Sequence, residues 1–229
     1  MGRFSSRLAP VFADFAGVEP GMRALDVGAG TGALTAELVR RDAAAGAIEP
    51  SPAFVAALRS RYPGVDVREG GAEELPWADD SFDVALAQLV IAFMSDAPAG
   101  VREMRRVAGT VAVCMWDRDG MEMLAALNRT RDALGVAREE SPYRSREEIE
   151  QLIGAGATSE LLEVDADYTD FEDFWSALLG GAGPAGAWAA SLDDEQRSVA
   201  RAELYRQLDE PDGPFTLTGR AWAARVTRG

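Results

Sequence analysis

The chain has 229 residues and a formal charge of −15, which argues against a nucleic-acid backbone as main partner, because phosphate binding needs clustered cations. It contains no histidine, and all 23 of its basic residues are arginine. That removes the commonest general base and metal ligand, and also a Schiff-base or phosphate-loop lysine. No metal site is expected, since zinc would have only carboxylates and the lone Cys114 to bind. With one cysteine no intrachain disulfide can form, and neither a leader-like apolar segment nor a membrane-length apolar run is present. A soluble, cytoplasmic protein is expected. The 47% hydrophobic content allows a substantial core.

The predicted elements follow in chain order. Leu8 to Ala16 reads as a short helix with Leu8, Val11, Phe12 and Phe15 on one side, stopped by Pro20-Gly21. Arg23 to Val27 reads as a strand and Thr31 to Arg41 as its helix. Ala47-Ile48 is a short second strand ending at Glu49, followed by Ser51 as helix cap and Pro52 as first helical residue of a helix to Arg61. Val65 to Arg68, Phe82 to Gln88 and Thr110 to Trp116 are further strands, with a helix over Ala97 to Arg106. Short apolar strands alternating with helices imply a parallel sheet covered on both faces. The loops after the Thr31–Arg41 helix and before Thr110 are unusually tight.

Beyond Trp116, helices are predicted over Met121 to Leu134, Arg144 to Ile153, Phe171 to Leu179 and Asp193 to Leu208, the last capped by Asp193 or Ser191. Leu161 to Tyr168 and Pro214 to Val226 supply strands, and Gly180 to Pro184 reads as a flexible break. There is no internal repeat and no evident linker.

The turn Gly28-Ala29-Gly30-Thr31-Gly32 between the first strand and its helix fits a nucleotide site, because glycine lets backbone approach a ligand and the following helix presents unpaired N–H groups. Two cofactors compete for it. Gly28, Gly30 and Ala33 satisfy the dinucleotide spacing, with acidic Glu49 about twenty residues on. Against that reading, Gly32 falls one position early and Asp26 would repel pyrophosphate while suiting a cationic amino-acid end. Glu49 is followed by Pro50-Ser51-Pro52, and a second acidic loop runs from Gly71 to Trp77.

Asp26-Val27-Gly28-Ala29-Gly30-Thr31-Gly32, Glu49-Pro50-Ser51, and Ala72-Glu73-Glu74-Leu75-Pro76 before Ser81-Phe82-Asp83-Val84 resemble the class I S-adenosylmethionine-dependent methyltransferases. The resemblance covers residues 22 to 117. It implies an α/β, Rossmann-like, doubly wound and mostly parallel seven-stranded sheet with a helical lid or insert, and S-adenosylmethionine as cofactor. With no repeat or linker, one methyltransferase domain is expected over 1–229, made of a cap (1–20), a cofactor-binding core (21–117) and substrate-side helices and strands (118–229). By resemblance, Asp26, Gly28, Ala29, Gly30 and Gly32 approach the methionine and ribose part. Glu49 chelates the ribose hydroxyls, Pro50 packs on adenine, and Ala72 and Glu73 lie at the adenine edge. Gln88 lines the site, and Arg3 or Arg7 meets the methionine carboxylate; the plain alternative for either arginine is a solvated terminal residue. Relatives often carry an aspartate where this chain has Gly71, which leaves that adenine contact open. Many also carry a histidine near Ala92 that is absent here.

The expected reaction is in-line methyl transfer to oxygen or nitrogen of a small-molecule acceptor, driven largely by proximity. A base is required only if the acceptor must lose a proton; the candidates are Asp117, Glu122, Tyr143 and Tyr168. The Met121, Met123 and Leu124 stripe either covers a substrate pocket or is ordinary core. Phe171, Phe174 and Trp175 read as packing, and Cys114 as inert.

Overall fold

Four of the five residues of β1 (Arg23–Val27) are buried, as a strand covered on both faces requires. In the computed structural model, which describes residues 2–137, 141–180 and 184–228, β1 lies parallel between β2 (Ala44–Glu49) and β4 (Phe82–Gln88). Leu25 stands level with Gly46 on one side and Ala85 on the other. β3 (Asp66–Glu69) adds outside β2, and β5 (Ala108–Met121) outside β4. The final strand β7 (Phe215–Thr227) runs antiparallel between β5 and β6 (Thr158–Tyr168), so the order is β3-β2-β1-β4-β5-β7-β6.

Alternation along β4 and β5 divides the core. Val84, Leu86, Ala112, Cys114 and Trp116 face a layer built on α1 (Gly2–Ala16), α2 (Ala33–Arg40) and α5 (Glu122–Ala133), with Phe4, Leu8, Phe12 and Leu38 among its buried members. Ala85, Ala87, Val111, Val113 and Met115 face α4 (Ala97–Val107) and α6 (Arg146–Ile153) through Val101, Met104, Ile149 and Ile153. α3 (Pro52–Arg61) packs Val55 and Leu58 against Ala47 and Val67. Between β6 and β7 lie α7 (Phe171–Leu179), α8 (Pro184–Ser191) and α9 (Asp194–Gln207). No helix among the described residues is long and apolar enough to cross a membrane.

Several boundaries differ from the sequence-based expectation. α1 begins at Gly2, not Leu8, because Phe4 is fully buried against Trp116 and carries the first turns onto the core. α2 starts two residues late because Gly32 at its cap adopts φ 88°. β2 has six residues rather than two, and β5 fourteen, following α4 with no loop between them. The loop before β5 is therefore trimmed. α9 is capped by Asp193, which accepts from the Gln196 N–H at 2.8 Å while the Gln196 side chain accepts from the Asp193 N–H at 3.1 Å. The break read over Gly180 to Pro184 falls partly on residues 181–183, outside the described residues, and α8 follows where no helix was expected.

Candidate functional site

Strand order reverses between β1 and β4, and the crevice beyond their carboxyl ends is where an open parallel sheet binds ligands. A cavity of 1240 Å³ opens there, bounded by the glycine turn, the end of β2, the 70–73 loop, the segment after β4 and, on the far side, α1, α5 and the end of β5.

The glycine turn is shaped by its neighbours. Gly28 has φ 73° and Gly30 φ 53°. A Cβ on Gly28 would stand 2.4 Å from Val90 Cγ2, so only glycine fits. The amides of the turn are already engaged: Gly28 and Ala29 donate to the Ile48 carbonyl at 2.9 and 3.1 Å, and Gly32 to the Ala29 carbonyl at 2.8 Å. What Gly28 and Ala29 present to the cavity is therefore carbonyl and Cα surface rather than N–H donors.

Two buried carboxylates organise this end. Asp26, 1% exposed, accepts from the Thr35 hydroxyl at 2.6 Å and from the Thr35 backbone N–H, so it holds the first turn of α2. Burial pushes its carboxyl up to about 7, and the Thr35 bonds only partly oppose that. Glu49, the last residue of β2 and 6% exposed, accepts from the Gly30 N–H at 2.8 Å and the Ser51 N–H at 2.9 Å. One carboxylate thus links the glycine turn to the start of α3, with Pro50 beside it on the cavity wall.

Ala72 and Glu73 also line the cavity. Glu73 Oε1 accepts from the Ser95 N–H at 2.7 Å, the Ser95 hydroxyl at 3.1 Å and the Asp96 N–H at 3.2 Å, tying the 70–73 loop to the start of α4. Burial opposes its ionisation, but these bonds outweigh burial and hold the carboxyl below its usual value. Its other oxygen lies 2.8 Å from where a Cβ on Gly71 would stand, so the Glu73 carboxylate occupies the ground that a side chain at 71 would take.

Gln88 lines the cavity, and its amide nitrogen donates to the Ser5 carbonyl of α1 at 3.0 Å, while its Oε1 is buried without a protein partner. Leu89 follows at φ 61°, an unfavourable conformation for a leucine, held by its N–H on the Cys114 carbonyl at 2.9 Å. Arg3 reaches the cavity wall, but its guanidinium is bound by Asp173 at 2.8 and 2.5 Å and by the Asp167 carbonyl at 2.7 Å. Arg7 lies 3.6 Å from Asp167. Both arginines tie α1 to the β6–α7 region.

Of the four candidate bases, only Tyr168 lines the cavity, and burial raises its phenol above the ordinary value despite nearby Arg3. Asp117 accepts from the Trp222 indole N–H at 2.9 Å, and Glu122 from the Thr218 N–H at 2.6 Å; neither lines the cavity, nor does Tyr143. Met121 and Met123 are core, whereas Leu124 lines the cavity. Phe171, Phe174 and Trp175 pack with Tyr168, Tyr205 and Phe215, and Cys114 is buried with its thiol pushed up. Sequence reading missed Phe54, Asn128, Arg131 and Arg144, which also line the cavity. Leu124, Leu127, Asn128 and Arg131 share one helical face, a spacing that was legible but had no partner surface to give it meaning.

Residues 25–115 match the family described as methyltransferase domain. An uncharacterized protein of Mycobacterium tuberculosis is 29% identical over 227 residues, covering 93% of this chain and 82% of its own. A malonyl-[acyl-carrier protein] O-methyltransferase of Halorhodospira halophila is 29% identical over 96% of this chain and 78% of its own. Among solved structures, a protein assigned as a type II methyltransferase from Anaeromyxobacter dehalogenans shares the fold with a TM-score of 0.67 at 22% identity, over 96% of this chain and 95% of that one. The whole chain shares the fold of the solved methyltransferase, and residues 25–115 form a class I S-adenosylmethionine-dependent methyltransferase domain. S-adenosylmethionine is its cofactor, which decides between the two nucleotides that the glycine turn alone allowed.

Proposed function

We propose that this enzyme transfers the methyl group to an oxygen or nitrogen of a small-molecule acceptor, with the chain acting as one domain. The observation that carries the reading is the Glu49 carboxylate, buried at the cavity wall between the Gly30 and Ser51 amides. A carboxylate so held suits a diol, which it can bind through both oxygens. When bound, S-adenosylmethionine supplies a methyl group already activated on a sulfonium centre. In this assignment Glu49 takes the ribose hydroxyls and Pro50 and Ala72 flank the adenine. Glu73 faces the adenine amino group from the position left open by Gly71. The carbonyl and Cα surface of Gly28, Ala29 and Gly30 faces the methionine part, with Asp26 beneath it. Gln88 stands between cofactor and α1, and Arg3 serves closure of α1 through Asp173 rather than the methionine carboxylate. The name of the Halorhodospira relative supports oxygen as acceptor atom.

Titration calorimetry with S-adenosylhomocysteine tests the assignment. Micromolar binding is expected, and no heat at millimolar ligand would overturn it. Glu49→Ala should weaken binding at least about tenfold, roughly 1.4 kcal/mol. An unchanged affinity would remove Glu49 from the ribose.

A further inference from the structure

Two buried carboxylates line the glycine-turn end of the cavity, and among the described residues neither is paired with a cation. Asp26 is met by the Thr35 hydroxyl and N–H, and Glu49 by the Gly30 and Ser51 amides. Glu37 on α2, as buried as Glu49, shows the contrast: Arg40 and Arg41 both bind it at 2.6 Å. A carboxylate withdrawn from water is unfavourable unless a cation accompanies it. Glu37 has its counter-charge within the protein; Asp26 and Glu49 face a cavity instead.

A second observation is independent of charge. The backbone N–H groups of Gly28, Ala29, Gly30 and Gly32 are all engaged within the protein. Leu86 of β4 stands level with Asp26, and two residues on, Gln88 lines the cavity with an Oε1 that is buried without a protein partner. Unmet acceptors and negative charge thus collect at one end, and their complement is a cation. Around Asp26, α2 contributes Thr35, β4 the apolar Leu86, and β2 the Glu49 carboxylate, the charged group that acts on it. Burial, and then the Glu49 charge, raise the Asp26 carboxyl to about 7 against the Thr35 bonds. Arg3, across the cavity, is bound by Asp173.

We infer that Asp26 senses the charge of the donor, giving up its proton when the cationic cofactor binds and regaining one when methyl transfer leaves the sulfur neutral. This rests on the cofactor assignment and on the placement, proposed above, of the methionine part over Asp26. In the transfer the acceptor atom bonds to the methyl carbon as the carbon–sulfur bond breaks, and the electron pair stays on sulfur. Any proton on the acceptor atom passes to solvent independently. The positive charge that favoured an ionised Asp26 is then gone, and solvent returns one proton to the carboxylate. Asp26 is thus a specificity residue that favours the charged donor over its neutral-sulfur product. By linkage, that preference grows as pH rises toward the value at which Asp26 ionises unaided.

The test titrates the full chain by calorimetry with S-adenosylmethionine and, separately, S-adenosylhomocysteine at pH 6, in buffers of different ionisation enthalpy. At that pH the α-amino group of either ligand is protonated, so the two differ in charge only at sulfur. S-adenosylmethionine should release about half a proton or more per molecule bound, and S-adenosylhomocysteine less than about a fifth. From pH 5.5 to pH 7 the affinity for S-adenosylmethionine should rise at least about fivefold, and that for S-adenosylhomocysteine change less than about twofold. Asp26→Asn should abolish both differences. Thr35→Val, which removes one bond to the carboxylate, should move the pH midpoint upward. Equal proton release with the two ligands, no release with S-adenosylmethionine, an unmoved midpoint in Thr35→Val, or release by Asp26→Asn like the wild type overturns the inference. Should Asp26→Asn not fold, the wild type and Thr35→Val decide it. Failure of both ligands to bind would instead overturn the cofactor assignment.

Discussion

At the scale of single residues, Asp26 carries the clearest physical consequence. Its carboxyl, raised from 3.8 to about 7 by burial, keeps a proton in the folded protein that the unfolded chain releases. The stability linked to this proton is fully present below the unfolded value and is lost as pH rises through about 7. A rise of that size corresponds to at most about 4 kcal/mol. Urea unfolding at pH 5 and pH 8 should show the wild type losing stability relative to Asp26→Asn by a few kcal/mol; parallel behaviour of the two would contradict it. Leu89 is the other residue whose state no sequence pattern announced. Its positive φ costs roughly 1–3 kcal/mol, held by β5 through the Cys114 carbonyl. The Glu49 and Glu73 positions were legible as acidic residues in the right loops. That Glu73 secures Ser95 and Asp96 while standing over Gly71 was not, because the partners lie about twenty residues away.

Among the elements, α1 is the one whose extent decides the site. It closes the cavity by burying Phe4 edge-on to Trp116, with ring centroids 5.9 Å apart, and by the Gln88–Ser5 bond. The exposed Arg3–Asp173 pair adds little stability by comparison, since such pairs contribute up to about 1 kcal/mol. Phe4→Ala should cost about 3–5 kcal/mol if the void does not collapse, measured by chemical denaturation, and a change below about 1 kcal/mol would show that α1 does not pack as described. The early turns of α1 escaped sequence reading because Arg3-Phe4-Ser5-Ser6-Arg7 has one apolar residue, whose burial depends on a tryptophan over a hundred positions away. α8 was missed for a similar reason: its sequence is rich in alanine and glycine, with little amphipathic pattern to read.

For the whole molecule, β7 is the closing element. It is hydrogen-bonded along both edges, to β5 and to β6, so β6 joins the sheet through this one strand. A chain ended at residue 214 would expose both edges and the apolar faces of Ala221, Ala223 and Ala224 would be lost from the core. It should show no cooperative thermal transition, and a sharp melt in that chain would mean the first five strands fold without it.

The sequence by itself determined the parallel core, because strands buried on both faces must be apolar and their turns must be glycine-rich, and it determined the loops on the glycine-turn side of the cavity, whose acidic residues and prolines are local in the chain. It also determined the absence of histidine and lysine chemistry. Only the tertiary structure decided which arginines and which helix faces meet across the cavity. Arg3, Arg131 and Arg144 all line the far wall although long stretches of chain separate them, and nothing in the local sequence shows that Arg3 fastens α1 through Asp173. The glycine-turn side of the cavity is written in contiguous motifs; its far side is assembled from α1, α5, β5, α7 and α8, and exists only once the sheet has brought them together.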